Sequence, residues 1–463
     1  MTHKKITHIL LNGTIWATFT YVLVVALAQV PRFAGDTIAM TQSAQALVGC
    51  AHSGRFIGCP GTNQYGLLQN IPAIFMIWKG MTLESTITVL GLLNVIAFVV
   101  LIVLLWRNFS YGVRHLAILI VLAGPLVGYV STTFGEMIQT LTFVGFGLAL
   151  LNKKRSWIIV AGFLAAGTRE TAFVPLLLIA CGVAARDARG LRNFDWRLLV
   201  DAVVGVMTGV ASLVLFNYWK FGTWKNLGNL NSLYVTPGLM RKLNSFVAIW
   251  ISPGGGLAPF WFIGACCSLA LVALAVVLGG QSGRLAPIAL GGALGANTVS
   301  LAMWFAPFGW VAWGPRLMIP TVAVASVVAL EMFRSQIVGM LRRPKARNLM
   351  ATTLGILTTL SAASSYGYMR DPTVMDPFFQ PDRVCTKVAI IQEDPSYYFK
   401  CLYHGAWKTD PSLWGLGWRG LDLLTWLVVI LLLCLSVLAT QAFLSPISPE
   451  IEDPNSVEGV LQH

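Results

Sequence analysis

Long uncharged apolar runs, separated by short polar turns, constrain this chain more than any other feature. They lie near residues 7–30, 85–106, 115–132, 136–151, 198–216, 258–280, 286–304, 317–333, 349–366 and 420–441, with a further pair at 157–184. A bilayer crossing needs about 20 predominantly apolar residues. Backbone polar groups in lipid must be satisfied within a helix or a closed barrel. Barrel strands alternate with a period of two over about ten residues, and these runs do not alternate, so the segments are helices. The composition agrees: 56% of residues are hydrophobic and 11% charged, against roughly 25% charged in a soluble protein. A soluble enzyme, a disordered chain and a small secreted disulfide scaffold are excluded. The expected fold is an all-α polytopic membrane protein.

Basic residues give the expected orientation. The net charge is +13, which in a soluble chain points to nucleic acid; here the excess sits in short inter-span loops, and no nucleic-acid partner is expected. Lys4, Lys5, Arg107, Arg114, Lys153, Lys154, Arg155, Arg186, Arg189, Arg192, Arg197, Arg284, Arg334, Arg342, Arg343, Lys345 and Arg347 all fall on one face, 17 of the 32 Lys and Arg residues. The positive-inside rule makes that face cytoplasmic. Both termini are then cytoplasmic, in a multi-pass protein of the inner (plasma) membrane. The first apolar run is too long for a signal peptide, and Gln29-Val30-Pro31-Arg32 is a poor cleavage site, so it reads as a retained anchor.

The opposite face carries loops at about 31–84, 217–257, 305–316 and 367–419. Loops of this size suit chemistry at the outer membrane surface better than solute passage. Four of the eight cysteines fall there, Cys50 with Cys59 and Cys385 with Cys401. Their placement suggests two short disulfide-closed loops in an oxidising compartment. Residues 442–463 read as a disordered tail following a transmembrane domain over 1–441.

Asp36 is the sole carboxylate before Glu84 and directly follows the first span. It opens a helix along the interface whose apolar face includes Ala39, Met40, Ala44 and Leu47. One role is helix N-cap. The other is general base, because a carboxylate at the edge of low dielectric accepts a proton from a hydroxyl more readily. Residues 71–78 are apolar but too short to cross and suggest a second interfacial helix ending at Trp78. Thr168-Arg169-Glu170 divides 157–184 into two apolar halves of about twelve residues, each with a basic outer flank. A half of that length spans about 18 Å as a helix, short of the roughly 30 Å hydrocarbon core. The unit therefore reads as a hairpin with Arg169 and Glu170 at its tip, either as a local ion pair or as ligand contacts. Glu136, at the turn between the third and fourth spans, either caps the next helix or faces the same cavity as Asp36.

Three stretches in this order carry a resemblance: Asn217-Tyr218-Trp219-Lys220-Phe221-Gly222-Thr223; Ser252-Pro253-Gly254-Gly255-Gly256-Leu257 with Pro259-Phe260-Trp261; and Trp310-Val311-Ala312-Trp313-Gly314-Pro315-Arg316-Leu317 with Pro320. Together they resemble the bacterial polytopic glycosyltransferases of the GT-C superfamily. That superfamily shows an Asn-x-x-Arg-Phe-Gly-type segment, a Ser-Pro-Gly-x-Gly-Leu turn and a Trp-Gly-Pro-Arg turn in this order. Lys220 stands where Arg is more usual, and no basic residue follows Gly254. The resemblance implies a GT-C-like bundle of about 10–12 transmembrane helices with interfacial helices and outer-face loops.

It also implies sugar transfer from a polyprenyl-phosphate or polyprenyl-diphosphate donor to a saccharide, lipid or protein acceptor at the extracytoplasmic face, with inversion and with Asp36 as base. The leaving phosphate needs cations near the interface. Arg316 is the first candidate, since guanidinium suits bidentate phosphate contact; its other role is snorkelling to headgroups. Arg169, Arg241 and Lys242 are further candidates, Glu136 is a second acidic or acceptor-site residue, and Ser252, Gly254 and Trp313 complete the motif set. No His, Asp or Glu cluster has metal-ligand spacing; no cofactor is assigned, and a divalent metal stays open. The aromatics of 397–418 either stack on sugars or form the core of a lid. The rival functions are a secondary transporter or flippase, and a membrane subunit that binds lipid-linked sugars without transferring them.

Overall fold

The computed structural model describes residues 3–30, 32, 35–62, 66–133, 135–186, 188, 193–225, 235–236, 238–252, 254–278, 284–304, 313–340, 344–374 and 413–445; for 3–5, 35–37, 69, 340 and 413 it describes the backbone alone. α1 (His3–Ala28) leads to two shorter helices, α2 (Gly35–His52) and α3 (Leu67–Trp78), and the chain returns through α4 (Leu83–Asn108). Next come α5 (Tyr111–Leu122), a 3-10 turn over Pro125–Tyr129 and α6 (Glu136–Leu151). A hairpin of α7 (Arg155–Ala166) and α8 (Phe173–Ala184) precedes the long α9 (Trp196–Phe221). α10 (Leu239–Ile251), α11 (Leu257–Phe260), α12 (Phe262–Val277) and α13 (Leu285–Ala302) follow. The 3-10 turn Arg316–Met318 opens α14 (Ile319–Met340); α15 (Pro344–Arg370), α16 (Leu413–Gly417) and α17 (Leu423–Leu444) complete the described elements.

The protein is an all-helical integral membrane protein. α1, α4, α9, α13, α14 and α17 are long and apolar enough to cross a bilayer, and α5, α6, α7, α8 and α12 are shorter apolar helices. Among the described residues the only extended pairings are the isolated bridges Arg32–Thr132 and Val235–Trp304. The central column is α14, with 94% of its spanning window buried against 39–50% for the others. α15 packs through small residues: Gly355, Ser361, Ala362, Ala363, Ser364 and Ser365 are buried against its neighbours. A Cβ on Gly355 would lie 2.6 Å from Val437 of α17, so the backbones approach as small-residue membrane interfaces allow. Several hydroxyls inside the bundle bond back to their own helices, as Thr140 does to the Glu136 carbonyl and Thr298 to that of Leu294. That removes the cost of a free polar group in lipid.

The hairpin follows from the same logic. Gly205 and Gly209 of α9 form a Gly-x-x-x-Gly stripe on which α7 lies, Gly205 against Ile159 and Gly209 against Phe163 and Gly167. This register carries the hairpin tip to the level of Asn217, one turn short of the end of α9. There the first long loop meets it: Leu68 N–H donates to the Gly167 carbonyl, and a Cβ at Gly66 would lie 2.3 Å from the backbone carbonyl oxygen of Thr168. α2 and α3 form a small layer above α4, with Met40, Ala44, Ala73, Met76 and Leu90 sharing one apolar cluster.

Several expectations change. The run 115–132 is not one helix: α5 stops at Leu122, and Pro125, which has no N–H to give, starts a 3-10 turn. Space dictates the break, because Trp261 donates its indole N–H to Ile120 and leaves no room for a side chain at Gly124. Ala39 lies on the exposed side of α2, while Met40, Ala44 and Leu47 are buried. Cys50 and Cys59 are free thiols, not a disulfide. Both are buried with Leu47 and Phe216, and Cys59 is held by its N–H to the Trp219 carbonyl and its Sγ–H to that of Arg55. Burial and the adjoining Cys50 thiol push Cys59 up to about 12, which keeps the Cys59 sulfur in the unreactive protonated form. Cys385, Cys401, the loop 375–412 and the tail 446–463 lie outside the described residues.

Candidate functional site

The ordered part of the site begins at Gly314, whose φ of +62° and contact with the Phe260 ring leave room only for glycine. The turn that follows aims Arg316 into the bundle, where it is buried beside the equally buried Glu136, Nε to Oε1 at 3.7 Å. Glu136 occupies the first turn of α6, where the helix dipole favours a carboxylate. Its Oε2 is enclosed and accepts no hydrogen bond. Arg316 and Glu136 thus stand side by side, although 180 residues separate them in the sequence.

An aromatic stack fixes the turn that carries Arg316. Trp313 lies face to face with Tyr368 at 4.3 Å and edge-on to Phe260 at 5.6 Å. Tyr129 donates its hydroxyl to the Trp313 carbonyl. Arg32 continues the stack, its guanidinium 4.1 Å from the centre of the Tyr368 ring. The same guanidinium donates to the carbonyls of Gly128 (3.4 Å) and Tyr368 (3.1 Å) and is buried.

Arg32 also makes a backbone connection, donating its N–H to Ser131 and bridging Thr132 in parallel. Asn94 of α4 grips the same segment through the Thr132 carbonyl at 2.6 Å. At this bridge the two chains run in the same direction. Four residues beyond Arg32 stands Asp36, in the first turn of α2; four residues beyond Thr132 stands Glu136, in the first turn of α6. Asp36 is the second residue of its helix rather than the residue preceding it, so the simple N-cap role is replaced by a first-turn position. Its side chain is outside the described set.

A second polar cluster lies at the hairpin tip. Asn217 donates to Glu170 Oε1 at 3.4 Å. Lys220, almost completely buried, places its ammonium 4.7 Å from the Phe216 ring and 4.9 Å from that of Phe221. Arg169, half-buried, stands in extended backbone just before the turn. The Glu170–Ala172 turn and the Arg316–Met318 turn both pack on α13, whose Asn297 donates to the Leu317 carbonyl.

The remaining motif residues are structural. Ser252 is buried, its hydroxyl accepts the Gly254 N–H, and its carbonyl accepts that of Gly256 at 2.6 Å. A Cβ at Gly256 would lie 2.3 Å from Ser252 N, so this turn needs its glycine. Arg241 and Lys242 stand, half-buried, in the first turn of α10. The segment before α10 pairs with the end of α13, through Val235 to Trp304 and Thr236 N–H to the Met303 carbonyl. Among the described residues no three His, Cys, Asp or Glu side chains gather as a metal site.

No protein-family profile matches the sequence, and no curated protein matches it. Among solved structures, the chain is similar to the crystal structure of ArnT from Cupriavidus metallidurans bound to undecaprenyl phosphate. The identity is 13%, the match covers 92% of this chain and 76% of that one, and the TM-score is 0.42.

Arg32, Asn94, Tyr129 and Tyr368 are the site residues that sequence reasoning missed. Arg32 had a signal: a cation placed directly after a span and four residues before the lone carboxylate. Asn94 and Tyr129 look like ordinary span residues until the fold assembles, and Tyr368 falls just past a span, at the start of the loop 367–419.

Proposed function

We propose that the protein is a membrane glycosyltransferase of GT-C type, which transfers a sugar from a polyprenyl-phosphate-linked donor to a hydroxyl acceptor at the outer face. The observation that carries this reading is the Arg32–Thr132 bridge, with a first-turn carboxylate four residues downstream on each chain and a buried arginine paired to one of them. The ordered motifs over 217–320 support it independently.

In this reading Asp36 takes the proton of the acceptor hydroxyl. The acceptor oxygen forms its bond to the anomeric carbon as the bond from that carbon to the phosphate oxygen breaks, and the electron pair leaves with the phosphate. The attack is in line and the anomeric centre inverts. Arg316 meets the charge that grows on the leaving phosphate, where a pre-aimed guanidinium in a dry site needs no reorganisation. Glu136 holds Arg316 and presents its free oxygen to a hydroxyl. Arg169, Arg241 and Lys242 are secondary phosphate contacts, and the lipid chain lies among the exposed apolar flanks of the spans.

The test is a deletion strain complemented with wild-type protein or with Asp36→Asn. The deletion and the variant should both accumulate the lipid-linked sugar donor, seen by thin-layer analysis of lipid extracts. Purified Asp36→Asn should still bind that donor while turnover falls by roughly 10²–10⁴-fold, the usual contribution of a general base. Wild-type turnover in the variant overturns the assignment. Export of the lipid-linked sugar without transfer would instead mark a transporter, and donor binding without transfer by the wild type a binding subunit.

A further inference from the structure

At the basic end of the bundle, at the base of the hairpin that carries Arg169 and Glu170 at its tip, α6, α8 and the start of α9 surround a cavity of about 330 Å³. Leu151, Val183 and Phe194 supply apolar lining; Lys153, Arg186, Asn193 and Asp195 supply polar lining. Lys153, Arg186 and Asn193 are exposed at its rim. The cavity therefore joins a greasy wall to a donor-rich edge.

Two features give its depth and its charge. Trp157 and Trp196 flank it in sequence and are 62% and 53% exposed. Trp196 rests against the lining residue Phe194, with ring centres 4.5 Å apart. Exposed tryptophans at the ends of spans sit at headgroup level. Among the described residues the lining carries two cations against one carboxylate, and Asp195 is already engaged: Oδ1 caps α9 through Leu198 N–H, and Oδ2 pairs with Lys153 at 3.1 Å. Lys153 keeps further N–H donors beyond that pair. Arg186 also feels Glu331, on α14, and Arg197 adds positive charge beside Asp195. Lys153 is, among the described residues, the one non-glycine with positive φ, at 52°. A helix end of this geometry is normally closed by glycine.

We propose that this cavity binds the phosphate of an anionic phospholipid from the adjoining leaflet. Lys153, Arg186 and Asn193 donate to the phosphate oxygens, and Leu151, Val183 and Phe194 cover the first carbons of the chains. Basic pockets between spanning helices suit such headgroups. α7 begins and α8 ends at this cavity, so a bound lipid ties down the base of the hairpin whose tip holds Arg169 and Glu170. The inference stands apart from the transferase assignment and survives its failure.

Native mass spectrometry of the full chain, delipidated and titrated with dioleoylphosphatidylglycerol, dioleoylphosphatidylcholine or inorganic phosphate, tests it. Phosphatidylglycerol should bind in preference to the other two. The variant Lys153→Gly with Arg186→Gln should bind it roughly 30-fold more weakly, the loss of two surface cations. Lys153→Gly relieves the backbone conformation, so the fold is not at risk from that change. Arg284→Gln, which removes another basic residue from the same end, should bind as the wild type does. Equal phosphatidylglycerol affinity in wild type and double variant overturns the proposal, as does a loss of the same size in Arg284→Gln. Equal affinity for phosphatidylcholine would show that charge is not read, and equal affinity for free phosphate would show that the lipid is not; either result overturns it.

Discussion

Breaking the Glu136–Arg316 pair should cost far more than replacing it. At 3.7 Å the two groups are too far apart for a hydrogen bond between the named atoms and attract as charges. With an effective dielectric constant of about 20, that attraction is worth about 4.5 kcal/mol before desolvation is counted. Both side chains are buried, 8% and 4% exposed, so desolvation consumes most of it. Removal of one partner strands the other charge and typically costs about 3–5 kcal/mol, whereas apolar replacement of both is often neutral. Arg316 has contacts besides Glu136, so Glu136→Leu should fall at the lower end, about 3 kcal/mol. Arg316→Met should match or exceed it, because it leaves Glu136 with no charge to face. Glu136→Leu combined with Arg316→Met should be more stable than either single variant.

Equilibrium unfolding of the four proteins in one detergent measures this cycle. Independent sites add within about 0.5 kcal/mol. If the double variant loses the sum of the single losses within that margin, the pair does not exist as an interaction and the reasoning fails. Activity separates fold from chemistry: the double variant should recover stability and remain inactive in sugar transfer.

Three further outcomes can be checked. Gly205→Ala would drive a Cβ to 2.5 Å from the Ile159 carbonyl and should cost about 1–3 kcal/mol by overpacking. Gly145→Ala, with nothing within 4 Å, should be neutral or stabilising in the same unfolding assay. Arg32→Lys keeps the charge but loses the planar fork over Tyr368 and its two carbonyls; turnover should fall about 10²-fold through misplacement, with a smaller change in donor KM, and Arg32→Lys should not rescue Arg32→Ala. Asp422 caps α17, and its bonds from Thr425, outweighing burial and aided by Arg370, hold its carboxyl at about 2 against an ordinary 3.8. That stabilisation is complete above the ordinary value and is lost as pH falls through about 2. Thermal melts between those limits should show a slope that Asp422→Asn flattens, while Asp422→Ala loses about 1 kcal/mol of capping at neutral pH.

The helices were legible because burial in lipid needs no partner: a long apolar run declares itself, whatever it packs against. The hairpin was legible for a related reason, since Arg169 and Glu170 divide a run into halves too short to cross. The run 349–366 reads as a span, yet α15 is not among the helices apolar enough to cross, because Ser, Thr and Gly there serve helix contact rather than lipid. The break after Leu122 was hidden, although Gly124-Pro125 announces it, because its cause is a tryptophan more than 130 positions away. The cysteines misled in the opposite direction. Their spacing allows a disulfide, and only the fold shows two separate thiols enclosed with Leu47 and Phe216.

The same division separates the parts of the candidate site. Asp36, Glu136 and Arg316 stood out one by one, because a charge next to a span is rare and costly. Their relation did not, since it is carried by neutral contacts: one backbone bridge, one tyrosine hydroxyl, one stacked ring. Arg32 joins all three. Its backbone sets α2 in register with the segment before α6, and its side chain rests on the ring that holds Trp313, three residues before Arg316. A membrane protein whose buried carboxylate and arginine come from separate helices needs such a fastening, because lipid supplies no hydrophobic force to hold two helices in register. The buried arginine with no chemistry of its own is therefore the residue on which the geometry of the other three depends.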